Sequence, residues 1–330
     1  MSYKIGLIYD RPHAEYKDGI EAKHVDHQKA VTRNEIYEIL STKYEVEEII
    51  ADEKIIEQLS KSKINLAFLL TTGIRGDSRQ SQIPAILEML GIPYIGSSVL
   101  GHALALDKSV AKKIFDYHHV STPKFQIFNE TEEKLNSELK FPLIAKPACE
   151  GSGFGIHKNS VVYNEKELKK KVKSLLNEYI PPVLVEEFIE GREFTVGIIG
   201  NGKDKIILPI MEIDFDEVPE KYGKFNTFEV KTECGEQTKF ICPALVDKEL
   251  EKSIIENVSK AFDALGCRDL SRVDIRVKDG QPYVIEINSL PGMEANYSDL
   301  PKTAEQAGIS YEQLILKIVD IAIKRIEGDS

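Results

Sequence analysis

The first hundred residues alternate short apolar runs with amphipathic segments, and this alternation is the feature that most restricts the fold. The run Ile64–Leu70 is too short and too rich in β-favouring residues to be a helix. Such runs are typical of parallel strands buried on both faces. We therefore expect an open parallel sheet with helices on both faces. The predicted strands are Tyr3–Tyr9, Tyr44–Ile50, Ile64–Leu70 and Pro93–Gly96, and the predicted helices are Ala30–Leu40, Asp52–Ser60 and Ser81–Leu90.

The pattern changes after Asp107, where strands become more frequent. The polar segment 214–235 has no clean period, and a loop of this length in a compact domain is usually a functional lid or disordered. We expect three α/β units, at 1–107, 108–192 and 193–330. The predicted helices here are Lys108–Tyr117, Glu165–Asn177, Lys248–Leu265 and Tyr311–Ile326; the predicted strands are Lys124–Phe128, Leu143–Lys146, Val183–Phe188, Phe194–Ile199, Ile206–Ile213, Lys239–Ile241, Arg272–Val277 and Tyr283–Ile287.

Composition narrows the class of protein. The 330 residues carry 43 basic and 54 acidic side chains, a net charge of −11, so general attraction to nucleic acid or to anionic lipid is not expected. No apolar run approaches the ~20 residues of a membrane helix, and the N-terminus lacks the pattern of a signal peptide. The four cysteines are scattered, which suits a reducing compartment and argues against structural zinc. We expect a soluble cytoplasmic protein.

A lysine followed by a glycine-rich turn is the first motif with chemical meaning. Lys146 ends a predicted strand, and Gly151-Ser-Gly-Phe-Gly155 follows. Glycines let backbone N–H groups approach a phosphate, and lysine supplies a point charge. The motif is neither a Walker A sequence nor a dinucleotide-binding fingerprint, since Ile156 occupies the third glycine position of the latter. Taken alone, it is also compatible with a simple tight hairpin.

Oxygen ligands form a second motif near the C-terminus. Glu286 and Asn288 are two apart on a predicted strand, so their side chains project together. Asp274, on a neighbouring predicted strand, would complete an all-oxygen cluster of the kind that Mg²⁺ prefers, with Arg272 on the same face. The alternative is an edge hairpin with solvated acids.

Two further groups are less specific. The predicted strand Val183–Phe188 contains the acids Glu186 and Glu187 near its end. These carboxylates could accept hydrogen bonds from a ribose or an adenine amine, or could form a solvated rim. Arg75 and Arg79 lie in a polar segment and could receive a substrate carboxylate as bidentate partners, or could belong to a solvated loop.

In their order along the chain, these motifs resemble the D-alanine–D-alanine ligase family of the ATP-grasp superfamily. The resemblance spans some 220 residues as an ensemble. It is carried by Leu90–Ser97, Ala105–Lys108, Lys146-Pro147, Glu150–Gly155, Glu186–Ile189, Gly191–Thr195, Cys242–Ala244, Arg272–Asp274, Glu286–Asn288, Pro291–Met293 and Ala307–Ser310.

The resemblance implies an α/β (α+β) protein with the ATP-grasp fold: an N-terminal parallel α/β domain and two α+β subdomains that clasp ATP. It implies an enzyme that joins two amino acids through an acyl phosphate and releases ADP and phosphate. The implied cofactors are ATP and two Mg²⁺ ions, with Mn²⁺ as a substitute. The implied partners are small amino-acid substrates and a second copy of the chain in a homodimer. The implied pathway is cell-wall peptidoglycan synthesis.

The resemblance also implies roles for individual residues. Lys108 and Lys146 would grip the ATP phosphates under the loop Gly151, Ser152, Gly153, Phe154 and Gly155; Glu186 would meet the adenine amine, Glu187, Phe188 and Ile189 would line the adenine slot, and Glu193 would hold the ribose. Asp274, Glu286 and Asn288 would bind the metals; Arg272 and the N–H of Gly292 would stabilise the oxyanion, with Ser152 and Lys231 completing the catalytic set. Arg75, Arg79 and Ser298 are the candidate substrate contacts.

The sequence departs from the family pattern mainly around the substrates. The family's N-terminal glutamate motif is missing, and Glu15, Glu21 or Asp26 would have to replace it. Thr232 stands where the family often has a lid tyrosine, and the segment after Met293 is about one residue longer. A paralogue that joins other amino acids or a peptide, a phosphotransferase, and a nucleotide-binding protein that no longer ligates remain alternatives.

Overall fold

The computed structural model describes residues 3–10, 19–151, 153–179 and 181–328, with side chains of the first helix described from residue 30 onward. The N-terminal sheet consists of three parallel strands in the order β2-β1-β3. The expected strand Pro93–Gly96 is reduced to one parallel bridge between Tyr94 and Ala67. The elements are β1 (Lys4–Asp10), α1 (Gly19–Ser41), β2 (Glu45–Ala51), α2 (Ile55–Lys61), β3 (Leu66–Leu70), α3 (Gln82–Leu90) and α4 (Val99–Leu106).

Helices cover both faces of this sheet, as the sequence pattern predicted. Leu7 of β1 is buried in one core with Leu40 of α1. Its neighbour Ile8 points to the opposite face and is buried with Leu59 of α2 and Leu87 of α3. Alternate residues of a strand face opposite sides, so a strand covered on both sides must be apolar throughout.

The central sheet is antiparallel, with strand order β4-β7-β5-β6. Its core lies under α6, whose residues Leu168, Val172 and Leu175 are buried. The elements are α5 (Lys108–Tyr117), β4 (Phe125–Phe128), β5 (Leu143–Pro147), β6 (Val161–Val162), α6 (Glu165–Glu178) and β7 (Val183–Glu187).

The C-terminal sheet is also antiparallel, in the order β11-β10-β8-β12-β13 with β9 paired to β8. The second and third units are therefore α+β. The elements are β8 (Arg192–Ile199), β9 (Ile206–Ile207), β10 (Met211–Asp214), α7 (Phe228–Glu233), β11 (Lys239–Ile241), α8 (Lys248–Ala264), β12 (Leu270–Lys278), β13 (Gln281–Asn288), α9 (Asp299–Gln306) and α10 (Tyr311–Gly328).

The structure corrects three local expectations. The single strand predicted at Ile206–Ile213 is two strands, because Pro209 lies between them and lacks a backbone N–H. The polar segment 214–235 contains the helix α7, which begins where the side chain of Thr227 accepts a hydrogen bond from the N–H of Val230. The helices α4 and α9 were not predicted.

The last helix, α10, packs against the N-terminal sheet. Ile318 and Ala322 of α10 are buried in the same core as Leu7 of the N-terminal sheet. Arg325 donates to the buried carboxylate of Asp269 and to the carbonyl of Tyr94. The N-terminal domain is thereby attached to the C-terminal sheet. Among the described helices, none is long and apolar enough to cross a membrane.

Candidate active site

A cleft lies between the central and C-terminal sheets. Like typical pockets for small ligands, it combines apolar wall residues with a few polar groups. Twelve of the residues predicted for the site line this cleft, which places motifs from distant parts of the chain together. They are Lys108, Lys146, Gly151, Gly153, Glu186, Glu187, Phe188, Ile189, Glu193, Lys231, Asp274 and Glu286.

One end of the cleft is an apolar slot. Ile144, Ile189 and Ile285 contribute aliphatic side chains to it, and the rings of Phe188 and Phe225 meet edge to face with centroids 5.2 Å apart. Ile285 faces the slot because β13 bulges there: Asp274 pairs with Glu286 but the next residue of β12 pairs with Val284, which leaves Ile285 extra. A flat aromatic ring fits a slot of this kind.

Two lysines bring positive charge into the cleft. The ammonium of Lys108, at the start of α5, lies 3.2 Å from Glu286 Oε2 and donates to the carbonyl of Glu150. The ammonium of Lys146, at the end of β5, lies 2.5 Å from Glu186 Oε1. Both lysines are nearly buried, so their charges are poorly screened by water.

Acidic residues line the same cleft. Glu186 is buried, and its carboxylate also lies 2.6 Å from the ammonium of Lys112. Burial opposes its charge, but Lys112 and Lys146 keep the pKa of Glu186 below its ordinary value. Burial raises the pKa of Glu193 even though Arg276 donates a hydrogen bond to its carboxylate at 3.2 Å. Both carboxylates are therefore placed for specific contacts rather than for solvent.

The predicted oxygen ligands converge on one face of the C-terminal sheet. Asp274 is paired with Glu286 across the β12–β13 ladder, and Asn288 Nδ2 donates to Asp274 Oδ2 at 3.1 Å. Arg272 donates to both oxygens of Asp274, and Thr195 Oγ1 donates to Oδ1 at 2.7 Å. Burial would raise the pKa of Glu286, but Lys108 and three further cations hold it far below its usual range.

These residues fit a hard divalent cation. In the described part of the chain no group of three or more His, Cys, Asp or Glu side chains stands ready to hold a metal. Asp274 and Glu286 instead offer two carboxylates, and the Nδ2 contact of Asn288 leaves its amide oxygen as a third donor. A site with few protein ligands suits Mg²⁺, which commonly completes its octahedron with water and substrate phosphates.

The glycine-rich segment closes one side of the cleft. Gly151 and Gly153 line it, and Gly155 has a positive φ at a point where a Cβ would lie 2.6 Å from the ring of Pro147. Phe154 does not line the cleft: its half-exposed ring packs against Phe228 of α7, with centroids 5.5 Å apart. Ser152 lies outside the described residues.

The segment 214–235 covers the cleft from the other side. Phe228 N–H donates to the carbonyl of Ile156 at 2.8 Å, and His157 Nδ1 lies 2.7 Å from Glu229, so α7 is attached to the segment that follows the glycines. Lys231 lines the cleft from α7. The hydroxyl of Thr232 donates to the carbonyl of Phe228, so it is used within its own helix.

The predicted oxyanion and substrate residues lie beyond the carboxylates. A Cβ on Gly292 would lie 2.6 Å from Ser298 Oγ, and this hydroxyl accepts the N–H of Glu294. Asp299, which follows Ser298, places a carboxylate oxygen 3.4 Å from Arg272 Nη1. Asp274 and Asp299 raise the pKa of Arg272 against the effect of burial, so the guanidinium stays charged.

The two arginines of the N-terminal domain are in different environments. Arg75 is exposed, with Glu53 as a distant partner at 3.5 Å. Arg79 instead donates to Glu150 at 2.9 Å and to the carbonyl of Cys149 at 3.3 Å. Arg79 therefore connects the N-terminal domain to the start of the glycine-rich segment. Of the candidates for the missing glutamate, Glu15 and the side chains of Glu21 and Asp26 lie outside the described residues.

Sequence reasoning missed several residues of the site, among them four with polar or charged side chains. Asn226 and Arg276 line the cleft, Lys112 contacts Glu186, and Asp299 contacts Arg272. Spacing gave a usable signal for two of them: Lys112 is four residues after Lys108 on a predicted helix, and Arg276 is two after Asp274 on a predicted strand. Asn226 lies in the polar segment, where no period gives its direction.

Comparisons with known proteins agree with this architecture. Residues 108–320 match the family described as the D-ala D-ala ligase C-terminus. An uncharacterized protein of Sinorhizobium fredii, y4sG, is 38% identical over 266 residues, or 80% of this chain and 76% of that protein. The D-alanine–D-alanine ligase of Carboxydothermus hydrogenoformans is 36% identical over 296 residues, or 87% and 90% of the two chains.

The same family appears among solved structures. The D-alanine–D-alanine ligase of Bacillus anthracis, solved as a complex with ATP, superposes with a TM-score of 0.78 at 29% identity over the full length of both chains. Its fold is the ATP-grasp fold that the sequence motifs predicted. The chain therefore belongs to the D-alanine–D-alanine ligase family of ATP-grasp ligases.

Proposed function

We propose that this protein joins two amino acids in an ATP-dependent reaction that passes through an acyl phosphate. One observation carries the proposal: an apolar slot, two lysines and a pair of carboxylates meet in a single cleft between two sheets. This combination can bind a nucleotide base, its phosphates and a divalent cation side by side.

In this proposal ATP lies along the cleft. The segment Glu186–Ile189 receives the adenine and Glu193 the ribose. Lys108 and Lys146 bind the phosphates, with backbone N–H groups of residues 151–155 and the hydroxyl of Ser152 above them. Mg²⁺, or Mn²⁺ in its place, would be held as two ions by Asp274, Glu286 and Asn288, and would neutralise charge on the phosphates.

The reaction then has two steps. A carboxylate oxygen of the first amino acid bonds to the γ-phosphorus and the bond to ADP breaks. The amine of the second amino acid next bonds to the acyl carbon, loses a proton, and phosphate leaves. Arg272 and the N–H of Gly292 stabilise the oxyanion between these events, a role commonly worth about 3–4 kcal/mol. Lys231 contacts the transferred phosphate while the covering segment excludes water.

The substrates are expected to be two small amino acids, with D-alanine in both positions as the first pair to test, which would place the enzyme in peptidoglycan precursor synthesis. Ser298 is the proposed contact for the carboxylate of the second amino acid. Arg75 is a proposed contact for another substrate carboxylate. The contacts of Arg79 favour a role at the glycine-rich segment. The carboxylate of Asp299 beside Arg272 favours the alternative, a paralogue with another second substrate. We further propose a homodimer in the cytoplasm.

An isotope experiment tests the acyl phosphate directly. D-alanine labelled with ¹⁸O in its carboxylate is incubated with Mg²⁺-ATP, and the released phosphate is analysed by mass. A ligase of this mechanism transfers one ¹⁸O per turnover to phosphate, because the carboxylate oxygen leaves with it. Turnover that yields peptide with unlabelled phosphate would overturn the mechanism. A phosphorylated single amino acid as the stable product would indicate a phosphotransferase.

A further inference from the structure

Lys112 is a fully buried lysine that none of the steps above uses. It lies on α5, one turn after Lys108, and 0% of its surface is exposed. Its ammonium lies 2.6 Å from Glu186 Oε2 and donates to Thr122 Oγ1 at 2.6 Å. Burying an ammonium is expensive unless it is paired, so its position is fixed by these contacts.

Glu186 is shared between two lysines. Its Oε1 lies 2.5 Å from the ammonium of Lys146, and its Oε2 is the partner of Lys112. The three groups come from α5, β5 and β7, and together they carry one net positive charge. Lys146 lines the cleft, whereas Lys112 lies behind Glu186 and does not. The excess charge is therefore available to a ligand through Lys146.

We propose that Lys112 is a positioning residue of the nucleotide site: by sharing the carboxylate of Glu186, it leaves Lys146 with charge to spare for a polyphosphate and fixes Glu186 at the wall of the apolar slot. This inference rests on the proposed binding of ATP in the cleft. Without Lys112, the charge of Lys146 would be cancelled by Glu186 alone. In a site screened from water, the loss of one unit charge weakens anion binding substantially.

The surroundings of Lys112 add a dependence on pH. Burial lowers the pKa of Lys112 to about 8, against the opposing influence of Glu186 and Glu286, while Lys146 lowers it further. The ring of Phe125 lies 5.9 Å from the ammonium and Thr122 contributes a neutral hydroxyl. As the pH rises through about 8, Lys112 loses its proton and the cluster loses its net charge. Nucleotide affinity should fall in the same range.

Binding of a non-hydrolysable ATP analogue with Mg²⁺, measured by calorimetry, tests the inference without knowledge of the amino-acid substrates. We expect Lys112→Met to weaken binding about tenfold, or about 1.4 kcal/mol. Lys113→Met is the matched control, because Lys113 is the exposed neighbour on the same helix, and it should bind as the wild type does. Wild-type affinity should also decline from pH 7 to pH 9, and this decline should be absent in Lys112→Met.

A double variant separates charge sharing from a purely structural role. In Lys112→Met/Glu186→Gln the neutral amide no longer cancels Lys146 and still offers a carbonyl oxygen to the slot, so binding should recover to within about threefold of wild type. Unchanged affinity in a folded Lys112→Met, or no recovery in the double variant, would overturn the inference. If the single variant does not fold, wild-type nucleotide affinity that stays constant from pH 7 to pH 9 would also overturn the inference. A wild-type protein that binds no analogue would contradict the proposed function instead.

Discussion

The contact between Arg79 and Glu150 leads to a prediction about nucleotide binding rather than substrate binding. The two side chains are 22% and 24% exposed and approach to 2.9 Å, so the pair lies between a buried and a surface ion pair. A surface pair is worth less than about 1 kcal/mol and a charged hydrogen bond about 1.5–3 kcal/mol. We assign about 1–2 kcal/mol to this contact. The contact favours the ordered form of the start of the glycine-rich segment by this same free energy.

Arg79→Ala should therefore raise the dissociation constant for ATP by a factor of about 5–30, because binding must then supply the order that the ion pair provided. The Michaelis constant for the amino acid should change little. The assay is steady-state ADP release, with ATP varied at saturating amino acid and the amino acid varied at saturating ATP. Arg75→Ala is the matched control for ATP binding alone, since Arg75 is exposed and pairs with Glu53; as a proposed substrate contact, Arg75 would alter only the amino-acid constant. A large rise in the Michaelis constant for the amino acid with unchanged ATP binding would refute this reasoning. It would indicate that Arg79 contacts the amino-acid substrate instead.

Three further predictions follow from the cleft. Glu286→Gln should reduce Mg²⁺-dependent turnover by more than about 100-fold at any Mg²⁺ concentration, because it removes a ligand; activity restored by excess Mg²⁺ would argue against metal binding there. Arg276→Met should lower the free energy of unfolding in urea by about 3–5 kcal/mol at pH 8. The loss should be smaller at pH 5.5, because burial raises the pKa of Glu193 and the folded variant takes up a proton on this carboxylate. An equal loss of unfolding free energy at pH 8 and at pH 5.5 would contradict the pairing of Arg276 with Glu193. Lys231→Met should lower kcat at least tenfold with ATP affinity changed less than about threefold, and unchanged kcat would exclude its proposed role.

The parts of the fold that the sequence predicted are those with a strong local period. Continuous apolar runs gave β1 and β3, and the amphipathic repeat of Lys248–Leu265 predicted α8 to within one residue of its observed end at Ala264. The helix α4 was missed because its sequence, VLGHALAL, is apolar on every side and shows no period. The helix α9 was missed because Pro301 resembles a helix breaker, although proline is compatible with the first turn.

The residues of the site also separate into those that a local sequence pattern predicts and those that it does not. The pairing of Glu286 with Asn288 follows from their spacing of two residues on a strand, and the structure places Asp274 beside them. The sharing of Glu186 between Lys112 and Lys146 depends on how α5 packs against two strands, which no local pattern encodes. The sequence therefore predicted the groups that line the cleft better than the groups that hold them in place.

The most direct test of the account is ADP release from Mg²⁺-ATP with D- and L-amino acids, single and paired, together with the mass of every product. The account predicts one dipeptide for each ADP formed, with D-alanine alone or with another pair of small amino acids, and loss of both products in Glu286→Gln. ADP formed without any peptide bond, or no ADP with any amino acid by a protein that binds ATP, would contradict the assignment of this protein as a ligase.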